Sequence, residues 1–230
     1  MNDPLIDLFY KAEDYFFRSI SKECLDFDDL ATAYLTGVDT EHDNLVFIRK
    51  SIDAIDEILN QCRDFYKINS TPWNVVIAEQ FTSDKFERSL KNINFSFSGK
   101  SEAMFIALKN QNESDIVDNI DIRLVSDELD QWLQPLIGAF DLTFKVMRQY
   151  ADVHEMALKN KANFYHFTLF IDKAPISSLT LSLQSNIARI HDVGTLPEYQ
   201  NKGYATHLVQ HAMNGGINMG AEYCFLEASE

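Results

Sequence analysis

The stretch Ile187–Met213 (IARIHDVGTLPEYQNKGYATHLVQHAM) constrains the fold more than any other part of the sequence. It opens as an extended run that reaches Thr195. Pro197 ends any ladder there, because proline has no N–H to donate. Beyond it, Ala205, Leu208, Val209, Ala212 and Met213 fall at i, i+3, i+4, i+7 and i+8, the buried stripe of a surface helix. A strand that passes straight into a helix leaves the first helical N–H groups without acceptors, and the helix dipole adds positive potential, so such a turn attracts anions. Gly203 in that turn has no Cβ to hold a ligand away from the backbone. Lys202 and the Thr206 hydroxyl are further groups suited to phosphate. A turn with one glycine is equally an ordinary strand–helix connection, so the anion reading needs its surroundings.

Those surroundings are mixed α and β. Apolar spacing predicts helices over 4–22 and over 52–65, the second capped by Ser51. Short β-rich runs fall at Asn44–Ile48, Trp73–Ala78 and Ala103–Leu108, with a short helix at Ser83–Leu90. After the polar stretch Lys109–Asp118, which reads as a linker, the pattern is β (120–125), two helices (127–140 and 142–158), three extended runs (162–171, 176–183, 187–195), a helix (201–219) and a last run at 223–228. We therefore expect two α/β domains, 1–118 and 119–230. Glycine crowds the second: only Gly37 and Gly99 precede the linker.

Charge excludes some functions. Lys and Arg total 20 against 35 Asp and Glu, a formal charge of −15. So acidic a chain repels phosphate backbones and anionic membranes, which argues against nucleic-acid or membrane partners. The acid-bearing N-terminus does not read as a signal peptide, and no apolar run nears the roughly 20 residues of a membrane span. A cytoplasmic protein is expected. Cys24, Cys62 and Cys224 have neither even number nor metal-type spacing, so neither a disulfide framework nor a metal site is expected.

The run Leu196-Pro197-Glu198-Tyr199 followed by Gln200, Gly203 and Ala205 resembles motif A (Gln/Arg-x-x-Gly-x-Gly/Ala) of the GNAT N-acetyltransferases. The resemblance covers 119–230 and implies a mixed-sheet acyl-CoA transferase fold. It implies that the backbone N–H groups of Asn201, Lys202, Gly203, Tyr204, Ala205 and Thr206 hold the pyrophosphate of acetyl-CoA. It also implies that the strand end Val193, Gly194 and Thr195 binds the pantetheine arm. The implied reaction is direct attack of a small-molecule or peptide amine on the thioester, with no metal.

A base must take the amine's proton. His191 matches a strand histidine of the arylalkylamine-acetylating members, and alternation puts it on the same face as Val193. Glu227 matches a strand glutamate of the members that acetylate ribosomal-protein N-termini. Alternation turns Asp192 away from His191, and Arg189 stands where histone-acetylating members carry glutamate. The family continues past this strand with a helix and two more strands, which this sequence lacks. A shortened chain, completion of the sheet by another segment, or a non-catalytic acyl-CoA-binding or interaction module are the alternatives. The first half resembles the degenerate half of tandem GNAT proteins and has no glycine cradle of its own. Oligomeric state stays open, a homodimer included.

Overall fold

The structure is a computed structural model that describes residues 4–108 and 120–229; the expected linker Lys109–Asp118 lies outside them. Its elements, in chain order, are α1 (Pro4–Ile20), β1 (Glu23–Phe27), β2 (Ala31–Leu35), β3 (Leu45–Ile48), α2 (Ile55–Ile68), β4 (Asn74–Ile77), α3 (Asp84–Asn92), β5 (Ser101–Ala107), β6 (Asp121–Leu124), α4 (Leu129–Phe140), α5 (Phe144–Lys159), β7 (Phe164–Ile171), β8 (Ala174–Gln184), β9 (Ile187–Thr195), α6 (Tyr204–Asn218) and β10 (Tyr223–Ser229). Strands β1 and β2 escaped sequence reading. The α2 helix starts at Ile55 after Ala54, with no side-chain cap, so Ser51 is not its cap as expected. Ser83 does cap α3, accepting from the Phe86 N–H.

The chain divides by contacts into Ile20–Gly99 and a second unit made of the residues before and after it. This differs from the 1–118 and 119–230 division expected from sequence. The reason is pairing. β5 runs antiparallel to β10 from Ser101↔Ser229 to Ala107↔Tyr223, so it is a strand of the second sheet. It also occupies the far side of β10, where sequence reading found the family's last strands lacking. Every residue of β5 is exposed, including Met104, Phe105 and Ile106.

The unit Ile20–Gly99 holds a sheet ordered β1-β2-β3-β4. Strands β1, β2 and β3 pair antiparallel, and β4 joins β3 in parallel after α2. Ile55, Leu59, Cys62 and Tyr66 of α2 pack on Ala31, Ala33, Val46 and Ile48. The Tyr66 hydroxyl donates to the Leu45 carbonyl at 2.9 Å, which lets a tyrosine be fully buried.

The other unit holds a six-stranded sheet ordered β5-β10-β9-β8-β7-β6. β6 through β9 are antiparallel, and β9 and β10 are parallel across the α6 crossover. The sequence β8 (APISSLTLSLQ) explains its layering. Alternation puts Leu179, Leu181 and Leu183 on one face, where they meet Leu169, Ile190 and the α6 residues Leu208 and Ala212. Ser178, Thr180 and Ser182 take the other face, and all are buried. That face is lined by buried polar groups, among them His166, Thr168 and Arg189, with His154 of α5. Among the described residues no helix is long and apolar enough to cross a membrane.

Candidate active site

Strand β9 forks away from its neighbour. Parallel pairing with β10 runs from Tyr223↔Ile187 to Leu226↔Ile190 and stops. On the other side β9 stays paired with β8 as far as Ser177↔Thr195. Among the described residues, the edge from His191 to Thr195 that faces β10 therefore has no ladder partner. Backbone donors and acceptors so left are a template for an extended ligand.

A bulge sits in the fork. Thr180 pairs with His191 but Ser178 with Gly194, so β9 carries one extra residue, and Asp192 has φ of 56°. The bulge overturns the expected alternation. Val193 packs on the α6 side, while His191 stacks on Phe16 of α1 with ring centroids 3.5 Å apart. Asp192 turns to the same side as His191, where its carboxylate accepts a 2.8 Å hydrogen bond from the Tyr150 hydroxyl of α5. Gly194 is not the bulge. It is glycine because α4 lies against it: a Cβ there would stand 2.7 Å from Leu136 Cδ2 and 3.0 Å from Ala139 Cβ.

The turn after β9 is shaped for an anion. Asn201 and Gly203 both have left-handed backbone, φ 59° and 83°. Gly203 is the residue before α6, and the first backbone donor of the helix to find an acceptor is the His207 N–H, which bonds the Gly203 carbonyl. The N–H groups of Asn201, Lys202, Gly203, Tyr204, Ala205 and Thr206 have no acceptor among the described residues. The Gln200 side chain donates to the Thr195 carbonyl at 3.1 Å, tying the turn to the end of the fork. The Lys202 ammonium points elsewhere, donating to the Glu198 carbonyl at 2.9 Å and lying over the Tyr199 ring. Only its backbone N–H faces the turn's role, whereas the exposed Thr206 hydroxyl carries no bond of its own.

Behind the fork lies a nest of buried polar side chains. Across the sheet His166, Thr180 and His191 stand in one row, paired His166↔Thr180 and Thr180↔His191. His154 and Tyr150 of α5 and Trp132 of α4 cover them, with ring centroids 4.5 Å apart for Tyr150–His154 and 4.9 Å for Trp132–His154. Among the described residues, buried atoms without a well-formed hydrogen bond gather here: Trp132 Nε1, His154 Nε2, Thr180 Oγ1, His191 Nε2 and Asp192 Oδ2. Unmet, each would cost about 1–3 kcal/mol, so together they would rival the stability of a whole domain.

Burial sets the charge states. It pushes the Asp192 carboxyl up to about 6, with the hydroxyls of Thr180 and Tyr150 and then the Arg189 cation pulling the other way. It lowers His166 to about 3 and His154 well below its ordinary value. His191 is also held well below, by burial and then by the Arg189 cation and His154. Part of the His191 residue is exposed, but its Nε2 is not.

Glu227 has a different setting. It accepts from Ser101 of β5 and lies 3.5 Å from Arg189, whose guanidinium is ion-paired with buried Glu13 of α1. Burial raises Glu13 and the Arg189 cation opposes that. Glu227 stands one residue past the last β9–β10 pair, at the mouth of the fork. Asp192 was weighed in the sequence but assigned to the wrong face, and Tyr150, His154, His166 and Thr180 were missed. The polar residues at every second position of β8, and His154 one helical turn after Tyr150, were the available signals. The bulge that joins them left none.

Residues 127–230 match the acetyltransferase (GNAT) family. No curated protein matches the chain in sequence. Among solved structures, a GCN5-related N-acetyltransferase from Kribbella flavida superposes with a TM-score of 0.70 at 10% identity, over 95% of this chain and 84% of that one. A functionally unknown conserved protein from Staphylococcus epidermidis ATCC 12228 gives 0.61 at 15% identity, over 91% and 84%. At such identities these likenesses show the fold. The chain thus has the fold of the GCN5-related N-acetyltransferases, and its residues 127–230 match the acetyltransferase (GNAT) family.

Proposed function

We propose that the chain transfers an acetyl group from acetyl-CoA to the amine of a small molecule or peptide. The observation that carries this reading is the continuity of two unpaired backbone surfaces: the β9 edge His191–Thr195, and the N–H groups of Asn201–Thr206 at the start of α6. The first suits a pantetheine arm added like a strand along Val193, Gly194 and Thr195. The second suits the pyrophosphate. A backbone N–H of the fork polarises the thioester carbonyl.

Asp192 takes one proton from the substrate ammonium. The freed amine attacks the carbonyl carbon, the C–N bond forms, and the C–S bond then breaks. The nitrogen's surplus proton goes to the departing thiolate, giving amide and CoA thiol, and the proton on Asp192 returns to solvent. Asp192 titrating near 6 is poised for this task at neutral pH. His191, kept neutral, and Glu227 at the mouth of the fork are the two other proton acceptors in this reading.

Calorimetry with CoA and thiol release from acetyl-CoA with a panel of amines test it. One CoA per chain and amine-dependent thiol release are expected. Binding without release for every amine would favour a non-catalytic acyl-CoA-binding module. A Gly203→Val variant should weaken CoA at least about tenfold. The reason is not a clash within the protein, since a Cβ there would meet only His207 Nε2 at 3.9 Å. It is the left-handed backbone, which a β-branched residue resists, and the loss of close approach. Unchanged affinity would move the pyrophosphate elsewhere.

We also read Ile20–Gly99 as a degenerate copy of the same design. Its β1-β2-β3-α2-β4 has the order and pairing sense of β7-β8-β9-α6-β10. Its β3-to-α2 turn, 49–54, has no glycine. Titration should show no second CoA equivalent.

A further inference from the structure

We propose that Asp192 is joined to solvent by a proton relay through His154 and His166 to Ser126, with internal water linking the Asp192 carboxyl to His154. The relay deepens the acetyltransfer reading, since it gives the base a way to discharge its proton while substrate fills the fork.

The geometry supplies the outer half directly. His166 Nε2 and His154 Nδ1 are 2.8 Å apart, and His166 Nδ1 is 3.3 Å from Ser126 Oγ. Ser126 is only partly buried, so the chain ends near water. Ser126 Oγ already accepts the His166 backbone N–H at 3.1 Å. Its own O–H is then free to donate to His166 Nδ1. With that donation His166 is the Nε2–H tautomer, which donates to His154 Nδ1 and leaves His154 with a proton on Nε2. Among the described residues His154 Nε2–H is thus a buried donor with no acceptor, while the Asp192 carboxylate, bonded to Tyr150 and beside the Thr180 hydroxyl, keeps lone pairs for a further donor.

Orphaned donors and acceptors in one nest are what an internal water serves, and Thr180 Oγ1 and Trp132 Nε1 complete the two to four polar partners it needs. A metal is a poorer occupant. Among the described residues no three His, Cys, Asp or Glu side chains are placed to share an ion.

The relay has two settings. With Asp192 ionised, every donor points inward: Ser126 to His166, His166 to His154, His154 through water to the carboxylate. With Asp192 protonated, the order reverses, and each ring carries its proton on Nδ1 instead. Moving from one to the other passes one proton to solvent and leaves neither imidazole charged. Both rings are well suited, because burial disfavours their cationic forms. The groups that act on the Asp192 carboxyl are Thr180, Tyr150 and Arg189, the last paired with Glu13 and Glu227, and His191 in turn is acted on by Arg189 and His154.

Nitrogen NMR of the ¹⁵N-histidine-labelled chain reads this without any activity. The His154 and His166 signals, assigned with His154→Gln and His166→Gln, are expected to exchange tautomers together as pH crosses the Asp192 titration, followed by its carboxyl carbon. In Asp192→Asn both rings should stay in one tautomer. Rings that each become imidazolium near pH 6.5, or tautomers that ignore pH, would overturn the relay. If acetyltransfer fails but the tautomers switch, the relay stands and the activity reading falls. Where activity is found, Ser126→Ala should lower kcat several-fold in weak buffer, and added imidazole should restore it. An effect on KM alone would count against it.

Discussion

Replacing Asp192 by Asn is expected to lower kcat by at least about a hundredfold, leave CoA affinity nearly unchanged, and raise the melting temperature. General-base assistance is worth roughly 10² to 10⁴ in rate, and an amide cannot take the proton. The stability gain follows from the same burial. A carboxyl raised from 3.8 to about 6 binds its proton more tightly folded than unfolded. Its ionised form therefore weakens the fold, by a cost absent below the unfolded value and complete once pH exceeds about 6. At about 1.36 kcal/mol per unit the ceiling is about 3 kcal/mol at pH 7. Asn can still accept from the Tyr150 hydroxyl, so about 1–3 kcal/mol should be recovered, several degrees in a chain of this size. The wild-type rate should rise with pH through about 6, and that limb should vanish in the variant. A variant that keeps its activity, or that melts earlier, would remove Asp192 from the role of base. His191→Ala and Glu227→Gln, assayed alongside, rank the other two acceptors.

The parts of this site that were legible in the sequence are those made by local rules. Pro197, Gly203 and the Ala205–Met213 stripe fix a strand, a turn and a helix within one short span, and the structure has them there. The turn's N–H groups needed no tertiary information to be recognised as free. What stayed hidden depends on partners distant in the chain. The fork exists because β10 stops pairing at Leu226, and nothing near Val193 announces that. The Asp192 bulge is set by the register against β8, so strict alternation assigned both Asp192 and Val193 to the wrong faces. β5 was seen as a strand, but its partner lies across the linker, at β10. β1 and β2 were missed because their five-residue runs are too short to show a period.

The fold should also weaken steeply in mild acid, and three histidines with buried ring nitrogens are the reason. His154, His166 and His191 are neutral when folded but protonate near 6.5 when unfolded. Each contributes stability that is whole above about 6.5 and is lost as pH falls toward its folded value. By pH about 5 the unfolded chain holds three protons on these rings that the folded chain does not. Two carboxyls work against this. Asp192 is protonated in the folded state below about 6, and burial raises Glu13 too, so it also holds its proton more tightly folded than unfolded. The net difference is one to two protons. Stability should then fall by about 1.4 to 2.7 kcal/mol for each pH unit between about 5.5 and 4.5. Urea unfolding at a series of pH values measures the slope directly, with the midpoint as readout. His166→Gln removes one of the three protons and should flatten the slope by about 1.4 kcal/mol per unit, even if it lowers stability at pH 7. A stability that stays level from pH 6.5 to 5, or a slope unchanged in the variant, would mean that these rings are protonated in the folded chain, and the neutral nest behind the fork would have to be given up.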